Sequence, residues 1–330
     1  MKDVLNPLPL VSMDEHGLHV LSQKVSDKLE KKNLSASLVT ALVGETSCAA
    51  RWLFESFVKD EIIDELSDTA ARRGSIFHKI MEDLFALEPE QRTKAQVKEL
   101  VTATLDSDDF RDLRDNKDVL NWVREAVNGY YRMGGDPQKV TVANISIGDK
   151  TNTVQKGLEV FVKGTIGTAK RPVVGFVDRL VLDVRRNDGS VLIEDWKTGS
   201  KAKRWNPTTK SEEGLAEQRQ QLMYKMLLEQ HGIQVSGARL IYPVAQTIVN
   251  VDCTDEALMQ RVIKNVEEAD TRLDNMIETN WFEFSPSFLC SWCPLVRACP
   301  QAMVKPYAKM QEAFAAQPET EVLLKGVELL

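Results

Sequence analysis

No stretch of this chain stays apolar long enough to cross a bilayer, and its opening residues, MKDVLNPLPLVSMDEHG, are broken by acids and prolines where a secretory signal needs an unbroken apolar core. Membrane attachment and export are therefore not expected, and a cytoplasmic place is. Positive charge is not in excess: the formal net charge is -7, which excludes wholesale electrostatic wrapping of nucleic acid but leaves room for a local basic track beside an acidic site. Histidine is scarce, with four in 330 residues. The five cysteines are odd in number and unevenly spaced, which fits a metal centre in a reducing compartment better than a disulfide framework.

What is present is organised around residues 173–199, VVGFVDRLVLDVRRNDGSVLIEDWKTG. Two apolar runs flank an Asn-Asp-Gly turn, the pattern of a hairpin. Asp178 lies on the first strand. The second strand closes on Asp195, Trp196 and Lys197, and positions 195 and 197 share a side because strand side chains alternate. Two carboxylates and an ammonium at one sheet edge suit a divalent metal and a phosphate.

Other elements can be read around that hairpin. Residues 69–87 carry a helical apolar stripe through Ile76, Ile80, Leu84 and Leu87, widened by Phe77, Met81 and Phe85. Gly74, His78 and Glu82 recur every four residues along one side of it, which would allow close approach of a neighbour and offer His78 to a metal. A helix is expected to start at Thr46 or Ser47 and run through Trp52, Phe54 and Phe57. Residues 90–134 alternate acids and bases and are expected to be helical, an inserted subdomain facing mostly solvent. Strands are expected over 140–147, 158–166, 173–184 and 191–196, with Gly164 marking a bulge. Helix returns over 212–230, where Gln220 and Tyr224 share one face. A strand or hairpin over 235–250 and a long amphipathic helix over 255–279 follow. The segment KTGSKAKRWNPTTK holds five bases and no acid, so Lys201, Lys203, Arg204 and Trp205 are candidate nucleic-acid contacts, with Trp205 free to stack on a base.

Cys290, Cys293 and Cys299 form C-x2-C-x5-C, a spacing that points to metal ligation. A fourth thiolate must come from Cys48 or Cys253, and both zinc and an iron–sulfur cluster accept four thiolates.

In this order the motifs resemble the PD-(D/E)XK nuclease superfamily, in its RecB-like branch that carries an iron–sulfur cluster. The helix motif of that branch matches Gly74, His78 and Glu82. Its metal-binding aspartate matches Asp178, its acidic-x-Lys motif matches Asp195-Trp196-Lys197 with tryptophan where tyrosine is usual, and its Q-x3-Y motif matches Gln220 and Tyr224. The one upstream and three downstream cysteines match Cys48, Cys290, Cys293 and Cys299.

The resemblance implies an α/β restriction-endonuclease-like core, a central mixed sheet flanked by helices, with a helical insertion at about 90–134 and an iron–sulfur-clasped periphery. The expected layout is a leader over 1–34, the nuclease domain over 35–300, and a C-terminal helix and apolar tail over 301–330 that docks on the body or on a partner. It also implies Mg2+ or Mn2+ held by His78, Asp178, Asp195 and the Trp196 main-chain carbonyl, with Glu82 as a further ligand or a support for His78. Lys197 would act on the attacking water, Gln220 and Tyr224 would steady Lys197 or the substrate backbone, and a 4Fe-4S cluster would sit on Cys48, Cys290, Cys293 and Cys299. The expected activity is an exonuclease on ends of single-stranded DNA in replication, repair or recombination. The alternative is a nuclease or adaptor subunit of a helicase or integration complex. No G-x4-G-K-[ST] phosphate loop is present, so any helicase or recombination motor would be a separate protein.

Overall fold

The computed structural model describes residues 10–44, 47–59, 69–147, 154–203, 214–302 and 327–329. The chain divides into two units, one formed by Met1–Leu66, Gly167–Pro172 and Ile263–Leu330, the other by Ser67–Ile166 and Val173–Val262. The first unit opens with strands β1 (Val11–Met13) and β2 (Gly17–Val20), an antiparallel hairpin that buries Val11, Met13, Leu18 and Val20. Asp14 holds its turn, accepting the N–H groups of His16 and Gly17 at 2.7 and 2.8 Å. Helices α1 (Gln23–Glu30) and α2 (Ala36–Val43) follow, the latter capped by the Ser35 hydroxyl accepting from Leu38 N–H. Helix α3 (Ala49–Leu53) runs into a π-helical turn, Phe54–Val58. Its N-cap is Cys48, not Ser47, and Thr46 lies outside the described residues. Cys48 takes no part in a side-chain cap, so its thiol is not spent on the helix end.

The second unit begins with α4 (Thr69–Ala86), α5 (Lys94–Asp106) and α6 (Lys117–Arg132). The charged stretch expected to face solvent hides a substantial apolar side. Val119, Val123, Ala126 and Tyr130 of α6 are buried at helical spacing, as are Val97 and Leu105 of α5. They pack on Ile76, Phe77, Ile80, Met81, Leu84 and Phe85 of α4. Charges at the intervening positions do not oppose this, because a helix needs only one apolar stripe.

A short pair, β3 (Asn144–Ile145) and β4 (Gln155–Lys156), precedes the main sheet. That sheet runs β5 (Leu158–Gly164), β6 (Val173–Leu182), β7 (Val191–Trp196), β8 (Val235–Tyr242) and β9 (Thr247–Val251) in spatial as well as chain order. All neighbours are antiparallel except β7 and β8, which are joined through α7 (Leu215–Gln230) and lie parallel, as a crossover connection requires. The result is the expected mixed sheet flanked by helices. Trp196 and Ile241 face α4. Asp195, one position along and therefore on the other side, meets Gln221 of α7. Gly164 marks no bulge: it stays in register with Val173, and its missing side chain instead admits Gln230 Oε1, 2.3 Å from where a Cβ would stand.

Helix α8 (Glu256–Thr279) starts in the second unit and ends in the first. There Arg171 and Lys170 pair with Asp270 and Asp274 of α8. Strand β10 (Trp281–Glu283) adds to β2, and β11 (Val327–Leu329) adds parallel to β1, so part of the apolar tail docks as a strand. The C-terminal helix expected before it lies outside the described residues. No described helix is long and apolar enough to cross a membrane.

Candidate active site

The ladder between β6 and β7 ends at the pair Arg179 and Glu194. Beyond it the Asp178 carboxylate fills the gap, and its Oδ2 accepts the backbone N–H of Trp196 at 2.7 Å. Asp195 and Lys197 project toward α7. Lys197 Nζ stands 2.8 Å from Asp195 Oδ2 and donates to Gln220 Oε1 at 2.8 Å. Gln220 Nε2 in turn donates to the Tyr224 hydroxyl at 2.9 Å, and Gln221 Nε2 donates to Asp195 Oδ1 at 3.0 Å. The tyrosine ring fits only because Gly175 has no side chain: a Cβ there would lie 2.3 Å from Tyr224 Cε1.

From α4, His78 Nδ1 lies 3.5 Å from Asp178 Oδ2, and His78 Nε2 lies 3.1 Å from the Trp196 carbonyl oxygen. Gly74, one turn earlier, lets the Thr198 hydroxyl come within 3.3 Å of its Cβ position. Glu82 pairs with Lys79 and stands outside the tight group. That group is His78, Asp178 and Glu159, which offer ligand atoms within 4.8 Å of one another.

Sequence reasoning missed Glu159. The β5–β6 register sets Leu158 against Arg179 and Val160 against Val177, so Glu159 falls opposite Asp178. Its backbone is left-handed, with φ 44°, a conformation a non-glycine residue holds only against strain. The one signal for it was an acid on the outward side of the alternating run EVFVKG. Gln221 was missed as well, since nothing local sets it apart from Gln220.

The electrostatics are those of carboxylates crowded together and shielded from water. Burial, and then the Asp195 charge, push Asp178 well above the usual carboxylate range, and burial also raises Glu159. Asp195 Oδ2 is buried, with the Lys197 ammonium 2.8 Å away. A divalent cation fits such a donor set of imidazole, carboxylates and a main-chain carbonyl. Burial pushes His78 down, which keeps its ring neutral and able to ligate. Burial alone would lower Lys197, but the charges of Asp195, Asp178 and Glu217 together outweigh it and hold the ammonium above its ordinary value. Burial pushes Tyr224 up to about 12, leaving a neutral phenol.

Trp196 faces the other way. Its indole packs edge-on to Phe77 and Tyr130, and the buried Arg179 guanidinium lies 4.6 Å over it and 3.8 Å over Phe85. Arg179 is neutralised by Glu194, to which its Nε donates at 2.8 Å. This stack holds the peptide that presents the Trp196 carbonyl.

Of the candidate contact loop, Lys201 is exposed and Lys203 pairs with Glu217 at 3.0 Å; Arg204 and Trp205 lie outside the described residues.

In the first unit, Cys48, Cys290, Cys293 and Cys299 line one cavity of about 30 Å³, while Cys253 is buried in the second unit. Ser287 N–H donates to Cys290 Sγ at 3.3 Å. Burial pushes Cys293 up to about 12 and Cys299 up to about 11, so without a cation both remain thiols.

A family model described as the PD-(D/E)XK nuclease superfamily matches residues 34–300. Among solved structures, a presumed exonuclease from Eubacterium rectale is similar in fold, with 12% sequence identity, 88% of this chain and 97% of that chain covered, and a TM-score of 0.51. No curated protein matches in sequence.

Proposed function

The chain belongs to the PD-(D/E)XK nuclease superfamily, and from that membership we propose that it is a metal-dependent deoxyribonuclease acting on the ends of single-stranded DNA. The observation that carries this reading is the convergence of His78, Asp178 and Glu159 beside the ion pair of buried Asp195 with Lys197.

Mg2+ or Mn2+ would be held by His78, Asp178, Asp195 and the Trp196 carbonyl, with Glu159 added to that set, and when bound would polarise the phosphate and acidify a water. The protein supplies the rest. Lys197, anchored between Asp195 and Gln220, presents a fixed positive charge that orients the attacking water and offsets charge building on the phosphoryl oxygens. Gln220 passes that anchoring to the Tyr224 phenol, which stays protonated and can donate to the substrate backbone. Arg179 and the aromatic rings around Trp196 keep the carbonyl from shifting as charge changes in front of it.

The four thiols that share one cavity support a second cofactor, a 4Fe-4S cluster on Cys48, Cys290, Cys293 and Cys299. Its role is structural, joining a segment near the chain start to one some 240 residues later.

The test is digestion of single- and double-stranded DNA labelled at either end, with Mg2+, Mn2+ or EDTA. Progressive shortening of single strands that EDTA abolishes is expected. Metal-independent cleavage, or none with either metal, would overturn the assignment.

A further inference from the structure

Phe161 and Phe176 are cross-strand partners in the β5–β6 hairpin, with ring centroids 5.2 Å apart, yet they are 47% and 56% exposed. Their orientation follows from their neighbours. Val160, Val162 and Val177 are buried, and on that side Gly164 and Gly175 are met by Leu227, Gln230 and Tyr224 of α7. The two phenylalanines therefore point to the opposite side. There Glu159, the preceding outward residue of β5, lines an open groove of about 500 Å³ with Gly74, Ser75, His78, Lys79 and Glu82 of α4. Asp178, the next outward residue of β6 after Phe176, meets His78 on the same side. Lys163, exposed, is the next residue on that side of β5.

Two residues along a strand span about 6.8 Å. The rings thus begin within reach of a base whose neighbouring phosphate lies at the carboxylates. Aromatic faces stack with any unpaired base, and a lysine beside them suits the next phosphate. We propose that Phe161 and Phe176 form a stacking platform for an unpaired base of the nucleic-acid strand whose scissile phosphate lies at His78, Glu159 and Asp178. This rests on the nuclease reading of that site and deepens it, because a base can reach the platform only when unpaired.

The test uses the intact chain and the variants Phe161→Leu, Phe176→Leu and the double change, which keep apolar bulk but remove the π-faces. Binding is measured in Ca2+, with single-stranded oligonucleotides carrying 2-aminopurine at successive positions from the end. Quenching at one position, lost in the double variant together with roughly tenfold or more in affinity, is expected. An oligonucleotide made abasic at that position should bind wild type and double variant alike. A variant that keeps quenching and affinity, or that loses affinity equally on the abasic strand, overturns the platform, the latter marking a structural role. The nuclease reading fails separately: wild type that binds and quenches but does not cleave with Mg2+ or Mn2+ would keep the platform as a nucleic-acid-binding element without the chemistry.

Discussion

Asp178 Oδ2 accepts the backbone N–H of Trp196 at 2.7 Å, just past the last paired residues of β6 and β7. The carboxylate thereby replaces a missing ladder bond with a charged acceptor, and does so beside the more deeply buried Asp195. Asp178→Asn keeps an oxygen for that N–H and removes the repelled charge. We expect the variant to fold with equal or higher Tm in EDTA, to lose the rise in Tm that Mg2+ gives wild type, and to lose at least a hundredfold in cleavage. Thermal melts with and without Mg2+, beside an end-labelled DNA assay, check all three.

Removing Lys197 has a different signature. Lys197→Ala strips Asp195 of its cation while leaving the carboxylate buried, so activity should vanish and stability should fall by about 2 kcal/mol, less than for a fully buried pair because the lysine is 23% exposed. Urea unfolding in EDTA measures the second effect apart from the first. Unchanged stability would mean that Asp195 relaxes to water.

Glu159 sets stability against activity. Glycine adopts φ 44° without penalty, so Glu159→Gly should gain about 1 kcal/mol in stability while metal-dependent cleavage falls. Glu159→Gln, which keeps the strain and removes the charge, should lose activity without the gain. The pair of melting curves separates backbone strain from carboxylate function.

Cys48→Ser should reduce iron and sulfide in anaerobically purified protein and lower its Tm, whereas Cys253→Ser should leave both metal and sulfide content unchanged. Full iron and sulfide in the first variant would remove Cys48 from the ligand set.

The hydrogen bond with His19, with a further one from His16 N–H, pulls Asp14 to about 2 from an ordinary 3.8. Because the folded value is the lower one, its contribution is present above about pH 4 and is lost as pH falls toward 2. The gap in Tm between wild type and Asp14→Asn should close over that window. A gap that persists at pH 2 would trace to turn geometry and not to charge.

Much of this protein was legible in local periodicity. The stripe Ile76, Ile80, Leu84 defines α4, and strand alternation by itself puts Asp195 and Lys197 on one side and Trp196 on the other, because both patterns depend only on backbone geometry within a few residues. Alternating charge from 94 to 132 obscured a buried face for the converse reason: exposed positions outnumber the stripe that packs. The tertiary structure decided what depends on distant register. Glu159 is an ordinary acid in EVFVKG until pairing sets it opposite Asp178 and its backbone turns left-handed. Spacing alone leaves Cys48 and Cys253 open as a fourth ligand, the family motif points to Cys48, and the fold sets Cys48 in one cavity with Cys290, Cys293 and Cys299. Alternation makes the hairpin of Phe161 and Phe176 half-buried without saying which side is covered; α7 covers the other side and leaves the two rings in solvent.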